Sequence, residues 1–193
     1  MKAIVGLGNP GKSYAEMRHN FGYMVLNRLA EQTGINFKSG RGDWVYSKLN
    51  SETVLIKPTS FMNNSGIAVT TSCNYFKADQ ENMLLVYDDI DLPLGSIRFR
   101  EKGHSGGHRG VEDVIYQIVN HEFPRLKLGI ANDGHMRPAE KFVLSPFNTD
   151  EKDLVNETIN VAVDAINYYL ESGIREAMNK FNKKPMNEKG ENG

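Results

Sequence analysis

Short stretches of the chain alternate apolar with polar residues or run apolar over four to six positions. Such stretches are typical of β-strands. They occur at 2–7, 44–49, 53–57, 83–87, 96–100 and 126–131. The polar sequence Asn50-Ser51-Glu52 is predicted to turn the second of these strands into the third.

Other stretches place apolar residues three or four positions apart, which is the spacing of one face of an α-helix. The sets with this spacing are Phe21, Met24, Val25 and Leu29; Val111, Val114, Ile115 and Ile118; and Leu154, Ile159, Val163, Ile166 and Leu170. Further helices are predicted at 65–76 and 174–181. Because strands and helices are interleaved, we expect a single-domain α/β three-layer sandwich, with helices flanking a mixed, mostly parallel central sheet.

The composition is that of an ordinary globular protein. Of the 193 residues, 39% are hydrophobic and 24% are charged, and no apolar run approaches the roughly 18 residues of a membrane helix. Cys73 is the single cysteine, which excludes an internal disulfide and fits a reducing compartment. We therefore expect a cytoplasmic protein without membrane contact. The polar segment 182–193 is predicted to be a disordered tail that follows a folded domain at 1–181.

Gly6, Gly8 and Gly11 follow the first predicted strand with the G-x-G-x-x-G spacing of a dinucleotide-binding turn. That motif also requires a helix directly after the turn and an acidic residue about 20 positions later, at the end of a second strand. Pro10 removes a backbone donor from the turn, and Glu31 falls in a predicted helix. The spacing leaves NAD or FAD binding open and favours a tight loop after the strand.

The sequence Gly103-His104-Ser105-Gly106-Gly107 matches the G-x-S-x-G elbow that carries the nucleophile of serine hydrolases. Such an elbow leaves a buried central strand, whereas the strand before this motif alternates apolar residues with arginines and is expected to be half exposed. A glycine-rich loop whose backbone donors face an anion is therefore favoured. Ser105 as a nucleophile is the alternative.

The histidines raise the possibility of a metal site. His104 and His108 are four residues apart, and His121 and His135 follow. Four-residue spacing brings side chains together only on a helix, and the glycines between His104 and His108 disfavour one. We expect loop histidines near a polar ligand and no metal site.

A fourth set of polar residues lies in predicted loops. Asn9 is in the glycine-rich loop, His19 precedes Asn20, which is predicted to cap a helix, Asn63 lies in "SFMNNSG", and Asp88 follows the strand 83–87. Loops at the carboxyl ends of parallel strands meet in one crevice. There a histidine paired with a carboxylate can act as a general base, and amides can stabilise an oxyanion. Each residue also has a purely structural interpretation as a turn, cap or solvated loop residue.

From Met1 to about Phe181 the sequence resembles the bacterial-type peptidyl-tRNA hydrolases. The matching segments are "IVGLGNPG", Tyr14, "RHNFG", "KPTSFMNNSG", "YDDIDLPLG", "GGH" followed by Gly110, and "LKLGIA". The resemblance implies that both glycine-rich stretches line a substrate cleft, with neither a dinucleotide nor a serine nucleophile. It also implies hydrolysis of the ester between a peptide and the terminal ribose of tRNA, without metal or organic cofactor.

The resemblance assigns roles to the polar loop residues. It implies that His19 accepts a proton from water and that Asp88 orients the imidazole and stabilises its charged form. Asn9 and Asn63 become candidates for substrate binding and for contact with the oxyanion. The further substrate-cleft residues that the resemblance implies are Tyr14, Met62 and His108.

RNA binding has to be local, because a net charge of −1 does not suit a protein that coats nucleic acid. Arg98 and Arg100 share one face of a predicted strand, and Lys102, Arg109 and Lys127 extend the basic patch. The resemblance implies that Arg100 and Lys127 clamp the phosphate at the 5′ end of tRNA. The expected partner is peptidyl-tRNA, bound at its CCA end and acceptor stem by a monomer. A solvated strand face is the alternative.

The chain departs from the family pattern at several positions. Arg109 follows "GGH" where the family usually has asparagine, Met17 replaces a usual threonine, and Ala131-Asn132-Asp133 replaces Gly-Arg-Pro. A guanidinium cannot accept a hydrogen bond as an amide oxygen can, so water placement near Arg109 is expected to differ. An RNA-binding paralogue with weak or no hydrolase activity is therefore the alternative function.

Overall fold

The computed structural model describes residues 1–134 and 136–182. The strands in these residues are Lys2–Gly6 (β1), Lys38–Ser39 (β2), Trp44–Lys48 (β3), Thr53–Pro58 (β4), Met83–Pro93 (β5), Ile97–Arg100 (β6) and Arg125–Ala131 (β7). They form one sheet in the order β2-β3-β4-β1-β5-β7-β6. The ladders β4–β1, β1–β5 and β5–β7 are parallel, and the ladders toward both edges are antiparallel. The sheet is therefore mixed, with a parallel centre.

The α-helices are Phe21–Gln32 (α1), Ser65–Phe76 (α2), Arg109–Ile118 (α3), Ala139–Val143 (α4) and Lys152–Phe181 (α5). Short 3₁₀ turns at Arg18–Asn20 and Met62–Asn64 directly precede α1 and α2. Helix α5 is kinked at Gly173, where φ is 83° and ψ is 175°. A glycine adopts this non-helical conformation without steric cost, so α5 consists of two helices that meet at Gly173, in agreement with the helices predicted at 154–170 and 174–181.

The core has two halves, one on each face of the sheet. Successive side chains of a strand point to opposite faces. Ile4 and Leu84 accordingly pack in the cluster that contains the apolar residues of α1 and α5, and Val5 and Leu85 pack in the cluster that contains those of α2 and α3. Burial on both faces explains why the central strands are continuously apolar. The predicted three-layer α/β sandwich is confirmed.

The predicted strands and long helices are all present. Strand β5, however, continues to Pro93 beyond its predicted end at Tyr87, with an irregular register to β7 between Asp89 and Pro93. Its last part contains aspartates, which are depleted in strands, so the sequence pattern did not extend that far. Strand β2 and helix α4 were not predicted, because two and five residues are too few to show a period.

The sequence predicts no membrane-spanning helix and a disordered polar tail. In the described ranges, no helix combines the length and the apolar character that a bilayer crossing requires. The tail predicted at 182–193 lies outside the described residues from 183 onward. Asn182 itself is described, and its side chain bonds both backbone groups of Phe99 on the edge strand β6.

The glycine-rich turn after β1 serves the packing of α1. A Cβ at Gly22 would lie 2.3 Å from the carbonyl oxygen of Val86 and 2.8 Å from the backbone nitrogen of Leu7, and a Cβ at Gly6 would lie 2.6 Å from the carbonyl oxygen of Gly22. Helix α1 therefore begins in direct backbone contact with the end of β1 and with β5. The turn leads only into a three-residue 3₁₀ helix at Lys12–Tyr14, and α1 starts at Phe21, so the α-helix that the dinucleotide motif requires directly after the turn is not there.

Candidate active site

The candidate site lies beside the carboxyl-terminal end of β1, where parallel α/β sheets bind ligands. A cleft there is lined by His19, Asp88, His108, Arg109 and Glu140, among others. These side chains come from the turn before α1, from β5, from the start of α3 and from α4. Segments distant in sequence therefore contribute to one cavity.

His19 and Asp88 form a buried pair in the lining of this cleft. Nδ1 of His19 lies 3.0 Å from both carboxylate oxygens of Asp88, and the two residues are 8% and 2% exposed. Burial by itself lowers the pKa of His19, but the charge of Asp88 and its hydrogen bond outweigh burial, and the pKa is raised above 6.5; Arg109 opposes this rise. Burial would raise the pKa of Asp88, yet the two imidazoles beside it hold that pKa well below its ordinary value.

His108 is the second imidazole on Asp88. Its Nε2 lies 3.0 Å from Oδ1 of Asp88, and its Nδ1 accepts the backbone N–H of Val111 at 3.2 Å, which caps α3. Because Nδ1 accepts, Nε2 must carry the proton and donates it to Asp88. His108 and His19 thus share Oδ1 of Asp88, and their rings lie side by side with centroids 4.7 Å apart.

The same three residues are also a geometrically possible metal-ligand set, since their ligand atoms lie within 4.8 Å of one another. A metal would need a lone pair on each facing nitrogen, and the Val111 bond assigns a proton to Nε2 of His108. Hydrogen bonding to Asp88 therefore fits the arrangement better. The histidine set considered from sequence is not assembled. The His104 and His121 rings pair with centroids 5.3 Å apart, His108 faces Asp88, and His135 lies outside the described residues.

The side chain of Asn9 is held in one orientation. Asn9 is 5% exposed, and its Oδ1 accepts the backbone N–H of Met62 at 2.8 Å. Since the amide oxygen takes this bond, the amide nitrogen points away from Met62. Met62 is packed in turn by the start of α3, where a Cβ at Gly110 would lie 2.4 Å from its sulfur. Buried Met62 therefore connects Asn9 with α3.

Asn63 follows Met62 in the chain and Tyr14 contacts Phe61, which precedes it; none of these residues is in the lining described for the cleft around His19. Asn63 is exposed in the 3₁₀ turn that precedes α2. The Tyr14 ring is half-buried and makes an edge contact with Phe61, with centroids 6.1 Å apart. Phe61 is 55% exposed, so this aromatic pair borders solvent next to the residues that hold Asn9.

Ser105 does not have the setting of a nucleophile elbow. The loop that carries it follows β6, which is an edge strand. Its Oγ accepts the backbone N–H of Gly107 at 3.4 Å. Gly106 and Gly107 have φ values of 60° and 81°, so the segment is a glycine turn that leads to His108.

The strand residues of the predicted basic patch, Arg98, Arg100 and Lys127, lie on one face of the sheet edge. Arg98 pairs across the ladder with Lys127, and Arg100 with Arg125, so the four side chains point to the same side. Arg125 is fully buried and donates to the backbone carbonyl oxygens of His104, in the glycine-rich loop, and of His121, after α3, each at 3.1 Å. Lys127 lies 2.7 Å from Oδ2 of Asp89. The patch therefore contains Arg100 and Lys127, with Lys127 engaged in an ion pair.

The comparisons with known proteins agree with the sequence motifs. A family model described as peptidyl-tRNA hydrolase matches residues 3–189. The chain belongs to the peptidyl-tRNA hydrolase family. It is 43% identical over 189 residues to the peptidyl-tRNA hydrolase of Thermoanaerobacter sp. strain X514, covering 94% of this chain and 100% of that protein. The corresponding protein of Akkermansia muciniphila is 41% identical over 185 residues, with coverage of 96% and 97%.

Solved structures of the peptidyl-tRNA hydrolase family have the same fold. The crystal structure of peptidyl-tRNA hydrolase from Acinetobacter baumannii superposes with a TM-score of 0.88 at 31% identity, covering 96% of each chain. The family resemblance stated from the motifs is therefore confirmed over nearly the whole chain.

Arg109 is the clearest departure from the peptidyl-tRNA hydrolase pattern within the cleft. It forms an ion pair with Glu140, and the two side chains are 64% and 66% exposed. The pair connects the start of α3 with α4 across the cleft lining. Glu140 was not predicted as a site residue, because α4 itself showed no pattern in the sequence.

Asn20 stands at the N-cap position of α1, as predicted, but its side chain bonds elsewhere. It was predicted to cap α1, but its side chain makes no cap hydrogen bond to that helix among the described residues. It bonds the main chain of Asn9 instead, accepting from the N–H and donating to the carbonyl oxygen, both at 2.9 Å. Its position next to His19 in "RHNFG" was the one available signal.

Proposed function

We propose that the chain hydrolyses the ester bond between a peptide, or an N-blocked aminoacyl group, and the terminal ribose of tRNA. The products are free tRNA and the free peptide. Family membership supports the substrate class, and the buried pair of His19 with Asp88 in the cleft is the observation that carries the mechanism. We assign the activity to a catalytic domain at 1–181.

In the proposed reaction His19 is the general base. Because its Nδ1 faces both oxygens of Asp88, Nε2 is the nitrogen that accepts a proton from water. The water oxygen then bonds to the ester carbonyl carbon and gives a tetrahedral oxyanion. When the intermediate collapses, the bond to the ribose oxygen breaks, and the imidazolium returns its proton to that oxygen. General base catalysis of this kind contributes roughly 10²- to 10⁴-fold.

Asp88 and His108 support the base. Asp88 keeps the His19 proton on Nδ1 and stabilises the imidazolium that forms during attack. His108 is proposed as a positioning residue, since its N–H orients the Asp88 carboxylate. This role differs from the direct substrate contact that the resemblance suggested for His108.

Asn9 is the proposed donor to the oxyanion. Its amide oxygen is engaged by the Met62 N–H, so its amide nitrogen is the group available to a substrate oxygen. A well-placed donor of this kind contributes roughly 10²- to 10³-fold to turnover. Asn63, which is exposed, is proposed to contact the substrate, and Met62 to form an apolar wall for the esterified end.

We propose that the tRNA is bound through its CCA end and its acceptor stem. Arg100 and Lys127 would hold a phosphate, as the family resemblance implies, and Arg109 and Tyr14 would contact the end of the acceptor strand. The proposed enzyme is a cytoplasmic monomer that acts without metal or organic cofactor. The chemistry above needs only water and the side chains named.

Arg109 favours a second candidate function. An RNA-binding paralogue with weak or no hydrolysis would keep the cleft and the basic patch while losing efficient water placement. The ion pair of Arg109 with Glu140 at the cleft is the observation that supports it. The pairing of His19 with Asp88 favours the enzyme, because an RNA-binding protein has no need of an oriented base.

The test is cleavage of an N-acylated aminoacyl-tRNA by the wild type and by His19→Ala, with free aminoacyl-tRNA as the substrate control. We expect the wild type to cleave the blocked substrate and the variant to lose at least about 100-fold in kcat. His104→Ala is the matched control, since that imidazole pairs with His121 and not with Asp88. Full activity of His19→Ala contradicts the mechanism, and wild-type tRNA binding without cleavage identifies the RNA-binding alternative.

A further inference from the structure

We infer that Asn20 is a positioning residue for Asn9 and that turnover depends on it through Asn9. The inference rests on the proposed function, in which the Asn9 amide donates to the oxyanion. Asn20 is 2% exposed. Its Oδ1 accepts the backbone N–H of Asn9 and its Nδ2 donates to the backbone carbonyl of Asn9, both at 2.9 Å.

These two hydrogen bonds to Asn9 take the place of the ladder bonds that β1 makes within the sheet. The ladder between β1 and β5 ends at Gly6 and Val86, and the N–H of Leu7 still donates to the carbonyl of Val86 at 2.9 Å. Beyond that point the chain has left the sheet. The Asn20 side chain then supplies Asn9 with both a donor and an acceptor, as an adjacent strand would.

The backbone contact between β1 and α1 brings Asn20 to this position. Gly6 and Gly22 allow the start of α1 to touch the end of β1, with no room for a Cβ at either residue. Asn20 directly precedes α1 and therefore lies next to the strand exit. An aspartate would place a second oxygen against the Asn9 carbonyl, so an amide is the group that satisfies both backbone positions.

Asn20 also connects the proposed base with the proposed oxyanion donor. His19 and Asn20 are neighbours in the 3₁₀ turn at Arg18–Asn20. The main chain of Asn9 is held by Asn20, and its Oδ1 is held by Met62. Loss of Asn20 would release Asn9 on one side only and shift its amide nitrogen relative to His19. A shift of about 1 Å can cost roughly 100-fold in rate.

The experiment is a double-mutant cycle on the full chain, with Asn20→Ala, Asn9→Ala and the double variant, using N-acylated aminoacyl-tRNA. We expect Asn20→Ala to lower kcat about 10- to 100-fold with KM within about twofold, and the double variant to match Asn9→Ala. The midpoint of the acidic limb of the pH profile should not move, because His19 and Asp88 are untouched. Asn120→Ala is the matched control. The Asn120 side chain also donates one bond and accepts another, and it lines a different pocket from the one that contains His19.

The outcomes separate this inference from the proposed function. The role of Asn20 is contradicted if the losses of kcat in the two single variants multiply in the double variant. It is also contradicted if Asn20→Ala turns over like the wild type, or if its acidic limb moves. Wild-type turnover of Asn9→Ala instead overturns the oxyanion role of Asn9. Thermal unfolding checks that each variant is folded. If Asn20→Ala does not fold, Asn20→Ser takes its place, because serine can keep one of the two bonds. Asn20→Ser should fold and show a smaller loss of kcat, and adding it to Asn9→Ala should cause no further loss.

Discussion

The buried guanidinium of Arg18 donates to both carboxylate oxygens of Glu151, at 3.3 and 2.6 Å. Arg18 immediately precedes His19, and Glu151 immediately precedes α5. The same carboxylate accepts from Nδ2 of Asn132 at 2.7 Å and from the backbone N–H of Asn148 at 2.6 Å. One acidic side chain therefore joins the turn that carries the proposed base to the loop after β7 and to the start of the last helix.

Glu151→Gln is expected to lower the free energy of unfolding at pH 7 by about 3 kcal/mol, because it leaves the buried Arg18 charge without its partner. Urea unfolding measures this change. Glu16→Gln is the control, since Glu16 and Lys152 are 3.9 Å apart and largely exposed, and its loss should cost less than about 1 kcal/mol. An equal loss of unfolding free energy in the two variants would contradict the role of Glu151 in joining these three segments.

The difference between wild type and Glu151→Gln should also depend on pH. Burial raises the pKa of Glu151, but the bonds from Arg18, Asn132 and Asn148 outweigh it and the pKa lies below 4.5. A lowered pKa stabilises the fold above the unfolded value and loses that contribution as pH falls through the folded value. The difference should therefore be constant near neutrality and shrink in acid. A difference that grows in acid would contradict the assignment.

Asp88→Asn is expected to move the acidic limb of kcat/KM to lower pH and to reduce kcat about 10²- to 10⁴-fold. The base must be neutral, so activity rises with pH through the pKa of His19, which Asp88 raises above 6.5. Without the carboxylate charge, burial dominates and the midpoint should fall below 6.5. Asp164→Asn, exposed on α5, is the control. An unchanged midpoint would show that Asp88 does not act on His19.

Part of this candidate site could be predicted, because the resemblance identifies His19 and Asp88, and Asp88 was also expected at the carboxyl end of a parallel strand, where ligands bind. The pairing of His108 with Asp88 was not, since it depends on the glycine turn that returns the chain from the edge strand β6 to the centre of the sheet. Asn20 was assigned to the nearest helix because local spacing cannot show the backbone contact that Gly6 and Gly22 permit. Side-chain partners of this kind depend on packing between distant elements.

Arg100→Ala and Lys127→Ala should each weaken tRNA binding and reduce the slope of log affinity against log salt concentration by roughly 0.7 to 0.9. Binding is measured by titration over a salt series in the His19→Ala background, so that the substrate stays intact. Lys48→Ala, an exposed lysine on β3 near the other edge of the sheet, is the control and should leave the slope unchanged. Equal slopes in all variants would remove this patch from the interface.

Asp89 gives a sharper form of the same test. Its carboxylate pairs with Lys127 at 2.7 Å and must share that lysine with a bound phosphate. Asp89→Asn should therefore tighten tRNA binding, and the gain should vanish when combined with Lys127→Ala. A gain that persists in the double variant would mean that Asp89 repels the RNA independently of Lys127.

Arg109→Asn is expected to raise turnover and to move the acidic limb to higher pH. The guanidinium charge lowers the pKa of His19, against the effect of Asp88, so its removal should raise that pKa further. An amide at this position can both donate to and accept from a water, which a guanidinium cannot do. The rate is compared above the limb, where His19 is neutral in both proteins. Arg175→Asn, whose ion pair with Glu101 is on the surface, controls for loss of charge. If the midpoint of the acidic limb rises but the rate above the limb is unchanged or lower, Arg109 acts on His19 through its charge alone. That result would contradict the prediction that Arg109 interferes with water placement.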